Sequence, residues 1–158
     1  MSYSHLSEDL HIVPCLAPVD IAAGTTISDI IDAGECTHIQ FLVYFGALDV
    51  DGVLNVYEAT TAAGASADAT ILFTYRFSAA TGTDLMGATA VGAANIAVVN
   101  NTHDGCILVI DIDPARLLAD HPYVYVEYNP TAGAANLMAI IALVTPRYSQ
   151  NIVPSVVD

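Results

Sequence analysis

Residues 38–60 read HIQFLVYFGALDVDGVLNVYEAT, two apolar runs rich in β-branched and aromatic residues, separated by Asp49-Val50-Asp51-Gly52. Side chains alternate along a strand. Ile39, Phe41, Val43 and Phe45 therefore share one face, and His38, Gln40, Leu42 and Tyr44 the other. On the second run Leu54 and Val56 oppose Val53, Asn55 and Tyr57. Asp-Gly readily adopts the positive φ that a tight turn demands, so the stretch is predicted as a β-hairpin. Both faces are largely apolar, which places it between two layers, within a sandwich or against a neighbouring subunit.

The rest of the chain repeats the pattern of strand, turn, strand. Short strands are expected over residues 19–22 and 26–32, around Gly24, and a clear one over 69–77 (ATILFTYRF). Soft Ala/Gly/Thr-rich segments fill residues 60–68 and 78–94. Residues 95–100 and 105–112 read as a second hairpin across Asn101-Thr102-His103-Asp104. Residues 122–128 and 137–144 read as a third, joined by Asn129-Pro130-Thr131-Ala132-Gly133. Asp113 followed by Pro114 marks one short helical turn, with Asp113 as its N-cap. About eight to ten strands at short spacing predict an all-β fold, an antiparallel β-sandwich or jelly-roll-like barrel.

Both ends are expected to be extended arms. Pro14 and Pro18 flank Cys15-Leu16-Ala17, and Ile-Val-Pro occurs at residues 12–14 and again at 152–154. Proline belongs in extended segments and at sheet edges. The predicted division is an N-terminal arm over 1–18, a core over 19–145 and a C-terminal arm over 146–158. Arms of this kind would lie on another subunit, with Leu10, Ile12, Val13, Ile152 and Val153 as contact residues.

The balance of residue types supports such contacts. Among 158 residues, 54% are hydrophobic and 13% charged, against typical values of roughly 45–50% and about 25%. The apolar excess exceeds what a single domain of this size needs for its own core, and a homo-oligomer is expected. Seventeen acidic residues face three basic ones, Arg76, Arg116 and Arg147, for a formal charge of −14. Nucleic acid is excluded as a partner, because phosphate binding needs clustered cations. Anionic lipid is disfavoured for the same reason. The longest apolar run, residues 137–144, falls short of the ~20 residues of a membrane-spanning helix. The N-terminal segment has neither the basic nor the apolar region of a signal peptide.

Reactive groups do not assemble into a motif. Against the calcium loop D-x-[DN]-x-[DN]-G-x5-E, residues 47–58 place Asp49, Asp51, Gly52 and Glu58 correctly. Ala47, however, occupies the first ligand position, and the flanks read as strands. An acidic turn is the preferred reading, with Asp49, Asp51 and Glu58 kept as the calcium candidates. The five histidines are scattered, and His103, Asp104 and Cys106 share one predicted turn. Gly64-Ala65-Ser66-Ala67-Asp68 lacks the last glycine of a nucleophile elbow. Cys15, Cys36 and Cys106 lack metal-site spacing. They read as small buried hydrophobes, with a disulfide within or between chains as the alternative. Neither catalysis nor a cofactor is expected. Tyr123, Tyr125 and Glu127 share one strand face, read as a protein contact rather than a sugar platform.

Four features together resemble a known family. They are FLVYFGALDVDGVLNVYEAT at residues 41–60, the Ala/Thr/Gly-rich middle, the turn DIDPARL at 111–117, and the ending HPYVYVEYNPTAGAANLMAIIALVTPRY at 121–148. In these the chain resembles the head decoration (cement) proteins of tailed bacteriophages. The resemblance implies a β-rich, often trimeric virion protein, made in the host cytoplasm and bound outside an assembled capsid. It implies the major capsid protein as partner, bridging of neighbouring capsomers, and no catalytic residues. The alternatives are another virion part (neck, tail or head fibre) and a calcium- or carbohydrate-binding β-sandwich module.

Overall fold

The structure is a computed structural model and describes residues 10–22, 24–63, 69–93, 95–147 and 156–157. Its strands are β1 (His11–Asp20), β2 (Thr26–Ile27), β3 (Ile30–Asp32), β4 (Cys36–Leu48), β5 (Gly52–Ala59), β6 (Ala69–Thr70) and β7 (Phe73–Phe77). They continue with β8 (Ala90–Gly92), β9 (Asn95–Val98), β10 (Ile107–Ile112), β11 (Tyr123–Pro130), β12 (Asn136–Pro146) and β13 (Val156–Val157). One sheet has six strands in the order β1-β12-β4-β10-β7-β8. The other runs β13-β3-β11-β5-β6, with β2 also on β11 and β9 also on β5. The strands within each sheet pair antiparallel, and the two sheets pack face to face around one core.

The pairing is nested. β1 pairs with β12, β3 with β11, β4 with β10, and β5 with β9. A ribbon folded back on itself and wrapped into two sheets gives this arrangement, which is the jelly roll. β6 to β8 are inserted between the fourth and fifth strands of the ribbon. The all-β sandwich expected from alternation is the observed architecture.

Alternation also places the core as expected. Ile39, Phe41, Val43 and Phe45 are fully buried, as are Leu54 and Val56. Burying a side chain of this size contributes roughly 1.5–3 kcal/mol relative to exposure. Pro114–Arg116 forms the expected helical turn, and the Ala115 amide donates to the Asp113 carboxylate at 3.0 Å. A second turn of the same kind, Ala33–Glu35, is capped by Asp32.

Connectivity differs from expectation. β4 lies in the six-stranded sheet and β5 in the other, so residues 38–60 are not a hairpin but a crossing between layers. The same holds for β9 and β10, and for β11 and β12. Gly52 does not have positive φ. A Cβ there would overlap the Tyr128 ring, so the glycine serves close approach rather than turn geometry.

The expected N-terminal arm over 1–18 is likewise corrected for residues 11–18. They belong to β1, an edge strand on β12, with Val13 and Cys15 in the core. Pro14 and Pro18 suit an edge because neither can donate to a further strand. At the other end Pro146 closes β12, and Val156–Val157 pairs with β3 of the same chain.

Crossing between sheets removes backbone amides from any ladder, and these need other partners. Asn136, fully buried, supplies them, together with the Ala135 carbonyl, which accepts from the Asp49 amide at 3.0 Å. Asn136 Oδ1 accepts from the Asp49 and Val50 amides at 3.1 and 3.4 Å, and its Nδ2 donates to the Tyr128 hydroxyl at 3.3 Å. Its own amide donates to Asp20 Oδ1 at 3.0 Å. Without this side chain the Tyr128 hydroxyl and the Val50 amide lose their partner, and a buried polar group left unpaired costs about 1–3 kcal/mol. Asn136→Ala is therefore expected to lower the urea unfolding free energy by about 3 kcal/mol, and Tyr128→Phe by about 1 kcal/mol. A loss below about 0.5 kcal/mol for Asn136→Ala would show that the crossing does not depend on this side chain.

Candidate functional site

The most distinctive surface is the outer face of the six-stranded sheet. Alternation that buries Phe41, Val43, Ile140 and Ile110 turns their neighbours outward. Register then aligns those neighbours into rows. Pro14, Ile141, Leu42 and Val109 stand side by side across β1, β12, β4 and β10. Beside this row, Ala139, Tyr44 and Ile107 form a second, and Ile12 and Leu143 begin a third. Tyr44 is 54% exposed, Ile12 48%, Leu137 46%, and Ile107 and Ile141 41% each. Contiguous apolar patches beyond a few hundred Å² are uncommon on monomers and mark contact surfaces.

Charge is nearly absent from these rows. Arg76 continues the first row beside Val109 and Asp111 continues the third beside Gln40, so these two opposite charges stand on adjacent strands at diagonal positions, two residues apart in register. Asp111 Oδ1 accepts from Gln40 Nε2 at 2.6 Å and lies 3.3 Å from His38 Nε2. Many other acidic residues sit in links between strands, among them Asp29, Asp49, Asp51, Asp84, Asp104 and Asp120.

The expected contact residues are distributed differently. Ile12 lies on the apolar face, and Leu10 is half-buried just before β1. Val13, 7% exposed, points into the core and is removed from the set. Tyr125 is also removed, because it is 4% exposed and packs with Ile30 and Ala59. Tyr123 is half-buried against the same cluster. Ile152 and Val153 lie outside the described residues, as does the segment 64–68. Leu42, Val109, Ile141 and Leu143 were missed as contact candidates. Their signal was present in the unbroken apolar runs of β4, β10 and β12, which is how strands covered on both faces read.

The calcium candidates do not converge. Asp51 Oδ1 accepts from the Asn100 amide at 2.8 Å, and its carbonyl accepts from the Thr131 amide and hydroxyl at 2.9 and 2.8 Å. The Asp49 carbonyl accepts from Asn100 Nδ2 at 3.1 Å. These aspartates join the crossings between sheets. Glu58 lies seven residues along β5 from Asp51, about 23 Å away at strand rise. It is buried, accepts from the Leu118 amide at 2.9 Å, and lies 3.8 Å from His121 Nδ1. Among the described residues that imidazole nitrogen has no hydrogen-bond partner.

No disulfide links the described cysteines. Cys15, Cys36 and Cys106 are free and buried. Burial pushes the Cys15 and Cys36 thiols up to about 12, which leaves them protonated and unreactive at neutral pH. Two clefts are partly open to solvent. One of about 160 Å³ is lined by His38, Phe73, Asp111 and Arg116, and one of about 190 Å³ by Leu117, His121 and Arg147. Neither sets a nucleophile beside a base.

His103 is structural. Its ring stacks on Phe77 at 3.9 Å, and its Nδ1 accepts from the Val99 amide at 2.9 Å. Burial lowers its pKa from the ordinary 6.5. No protein-family model matches the chain, and a search of curated proteins finds no relative.

Two predictions follow from this geometry. A histidine with depressed folded pKa contributes stability that is present above its unfolded pKa and is lost as pH falls through the folded value. The urea midpoint should therefore drop as pH falls below about 6.5. His103→Phe should be less stable than wild type near pH 8 and show a smaller acid-side drop; an unchanged drop would remove His103 as the cause. Asp51→Ala should lower stability by about 1 kcal/mol, equally with and without millimolar calcium. Calcium-dependent stabilisation abolished by the substitution would restore the metal reading.

Proposed function

We propose that this chain is a structural subunit of a viral particle, bound to the outside of an assembled capsid and reinforcing the joints between neighbouring capsomers. The observation that carries the reading is the apolar outer face of the six-stranded sheet on a chain of formal charge −14. The jelly-roll frame alone does not decide, since shell proteins and lectin domains both use it. A lectin-like or calcium-binding module would need an exposed aromatic platform or converging carboxylates. Here Tyr125 is buried, and Asp51 and Glu58 lie at opposite ends of β5.

The role is mechanical. A protein that binds only the assembled shell stabilises it by mass action, by about 2.7 kcal/mol per site at 100 times the dissociation constant. The major capsid protein supplies the surface bound, and copies of this chain supply the bridge. Acidic links keep so apolar a protein from associating at random through its edges and ends before it meets that surface.

Cosedimentation tests this. Purified protein is mixed with empty shells of the virus that encodes it and run through a sucrose gradient. The expected result is comigration at a fixed ratio to the shell protein, together with a higher temperature of shell disruption. Protein left at the top of the gradient across micromolar concentrations would overturn the reading.

A further inference from the structure

We infer that the outer face of the six-stranded sheet is the contact between two copies of this chain, packed sheet against sheet about a two-fold axis. The inference rests on the reading of that face as a subunit contact, and it names the partner.

Charge selects the partner first. Two copies each carrying −14 repel one another wherever acidic links meet. The centre of the face carries no net charge, with Asp111 and Arg76 of opposite sign at diagonal positions and Asp20 at its far end beside Leu137, so identical copies can approach there with little opposing field. A basic partner would gain nothing from this face, and another acidic protein would need a neutral apolar patch of the same kind.

One edge is closed to the same partner. β1 bounds the sheet, and Pro14 and Pro18 lack the amides that a strand from a second copy would pair with. Pairing by sheet extension along β1 is thus obstructed, whereas stacking face on face is not. Aligned sheets pack about 10 Å apart with interdigitating side chains. The row Pro14, Ile141, Leu42, Val109 has the composition of an inner sandwich layer.

Area and symmetry agree. Across β1, β12, β4 and β10, about 4.8 Å apart, outward residues about 6.8 Å apart make a face about 19 Å by 20 Å, which β7 and β8 widen with Thr74, Arg76 and Val91. That is the scale of a standard contact, roughly 800 Å² of accessible surface per partner. One self-complementary patch generates an isologous two-fold dimer, whereas a three-fold ring needs two different patches that fit each other. Leu42 lies mid-row and would sit near the axis, facing its own counterpart.

The experiment is sedimentation velocity on the full chain from about 1 to 100 µM, a range that spans the usual affinities of such contacts. Wild type should sediment at twice the chain mass of 16.5 kDa. Leu42→Glu and Ile141→Glu should each shift it to the monomer, at least tenfold weaker in association, with the far-ultraviolet dichroism unchanged. Leu118→Glu, in an exposed link away from the face, should leave the dimer intact. Should the glutamate variants fail to fold, Leu42→Cys provides the second test, because a cysteine near the axis oxidises to a covalent dimer. Native Cys15, Cys36 and Cys106 are buried and do not compete. A monomer at 100 µM, a trimer, a dimer unaffected by both glutamates, or no Leu42→Cys crosslink in the folded variant would overturn the inference. A monomer that still cosediments with shells would overturn only the pairing, and a dimer that ignores shells would overturn only the proposed function.

Discussion

The fold depends on solving one problem, how a chain leaves one sheet and enters the other without stranding its backbone. Between β4 and β5 the Val50 amide has no place in either ladder, and the Asp49 amide reaches only the Ala135 carbonyl of a neighbouring link, at 3.0 Å. Asn136 Oδ1 receives both, while its Nδ2 reaches Tyr128 in the opposite sheet. One fully buried amide group thereby ties β12, the first crossing and β11 together. Around it the Asp51 carbonyl and carboxylate gather the other two crossings, through Thr131 and Asn100. The Asp104 carboxylate accepts from the Leu48 amide at 3.1 Å and completes the set. Removing Asn136 would loosen the end of the sandwich where all three connections meet, not one loop.

This explains which parts of the fold were legible in the sequence. Strand faces were, because burial depends on alternation, and alternation is local: Ile39, Phe41, Val43 and Phe45 are the inward set. Strand partners were not. A tight hairpin and a crossing between layers use the same turn chemistry, namely Asp, Asn and Gly between apolar runs. In all three cases the apolar flanks pair with strands distant in sequence, β4 with β10 and β12 rather than with β5. Gly52 shows the ambiguity at one residue. It was read for φ, yet its missing Cβ admits the ring of Tyr128, seventy-six positions later.

The candidate site was legible by half for a related reason. Leu42 and Tyr44 were seen to share one apolar face, to be covered by a second layer or a neighbouring subunit, and apolar surplus was assigned to contacts. Which strands would extend that face was set by register alone, with Ile141 on one side of Leu42 and Val109 on the other. The prolines of residues 14 and 18 misled in the opposite direction. Both an arm and an edge strand exclude a partner's hydrogen bond at proline, and only the buried Val13 and Cys15 distinguish the two. The tyrosines of β11 misled because alternation gives a face, not its cover. Tyr125 faces away from the main core and is nevertheless buried.

Apolar excess and high negative charge look contradictory as bulk numbers, and the structure separates them in space. Acidic groups concentrate in the links, where they cap turns and staple crossings, as Asp51, Asp104 and Asp113 do. The sheet face between those links is left almost uncharged. A protein made in many copies needs both properties on different surfaces. Long-range repulsion suppresses random association through edges and ends, and it decays within about 8 Å at physiological salt. Short-range apolar contact then acts only where that repulsion is weakest, over the centre of the six-stranded sheet. Charge on this chain thus directs association rather than preventing it, by leaving one face on which apolar burial is unopposed.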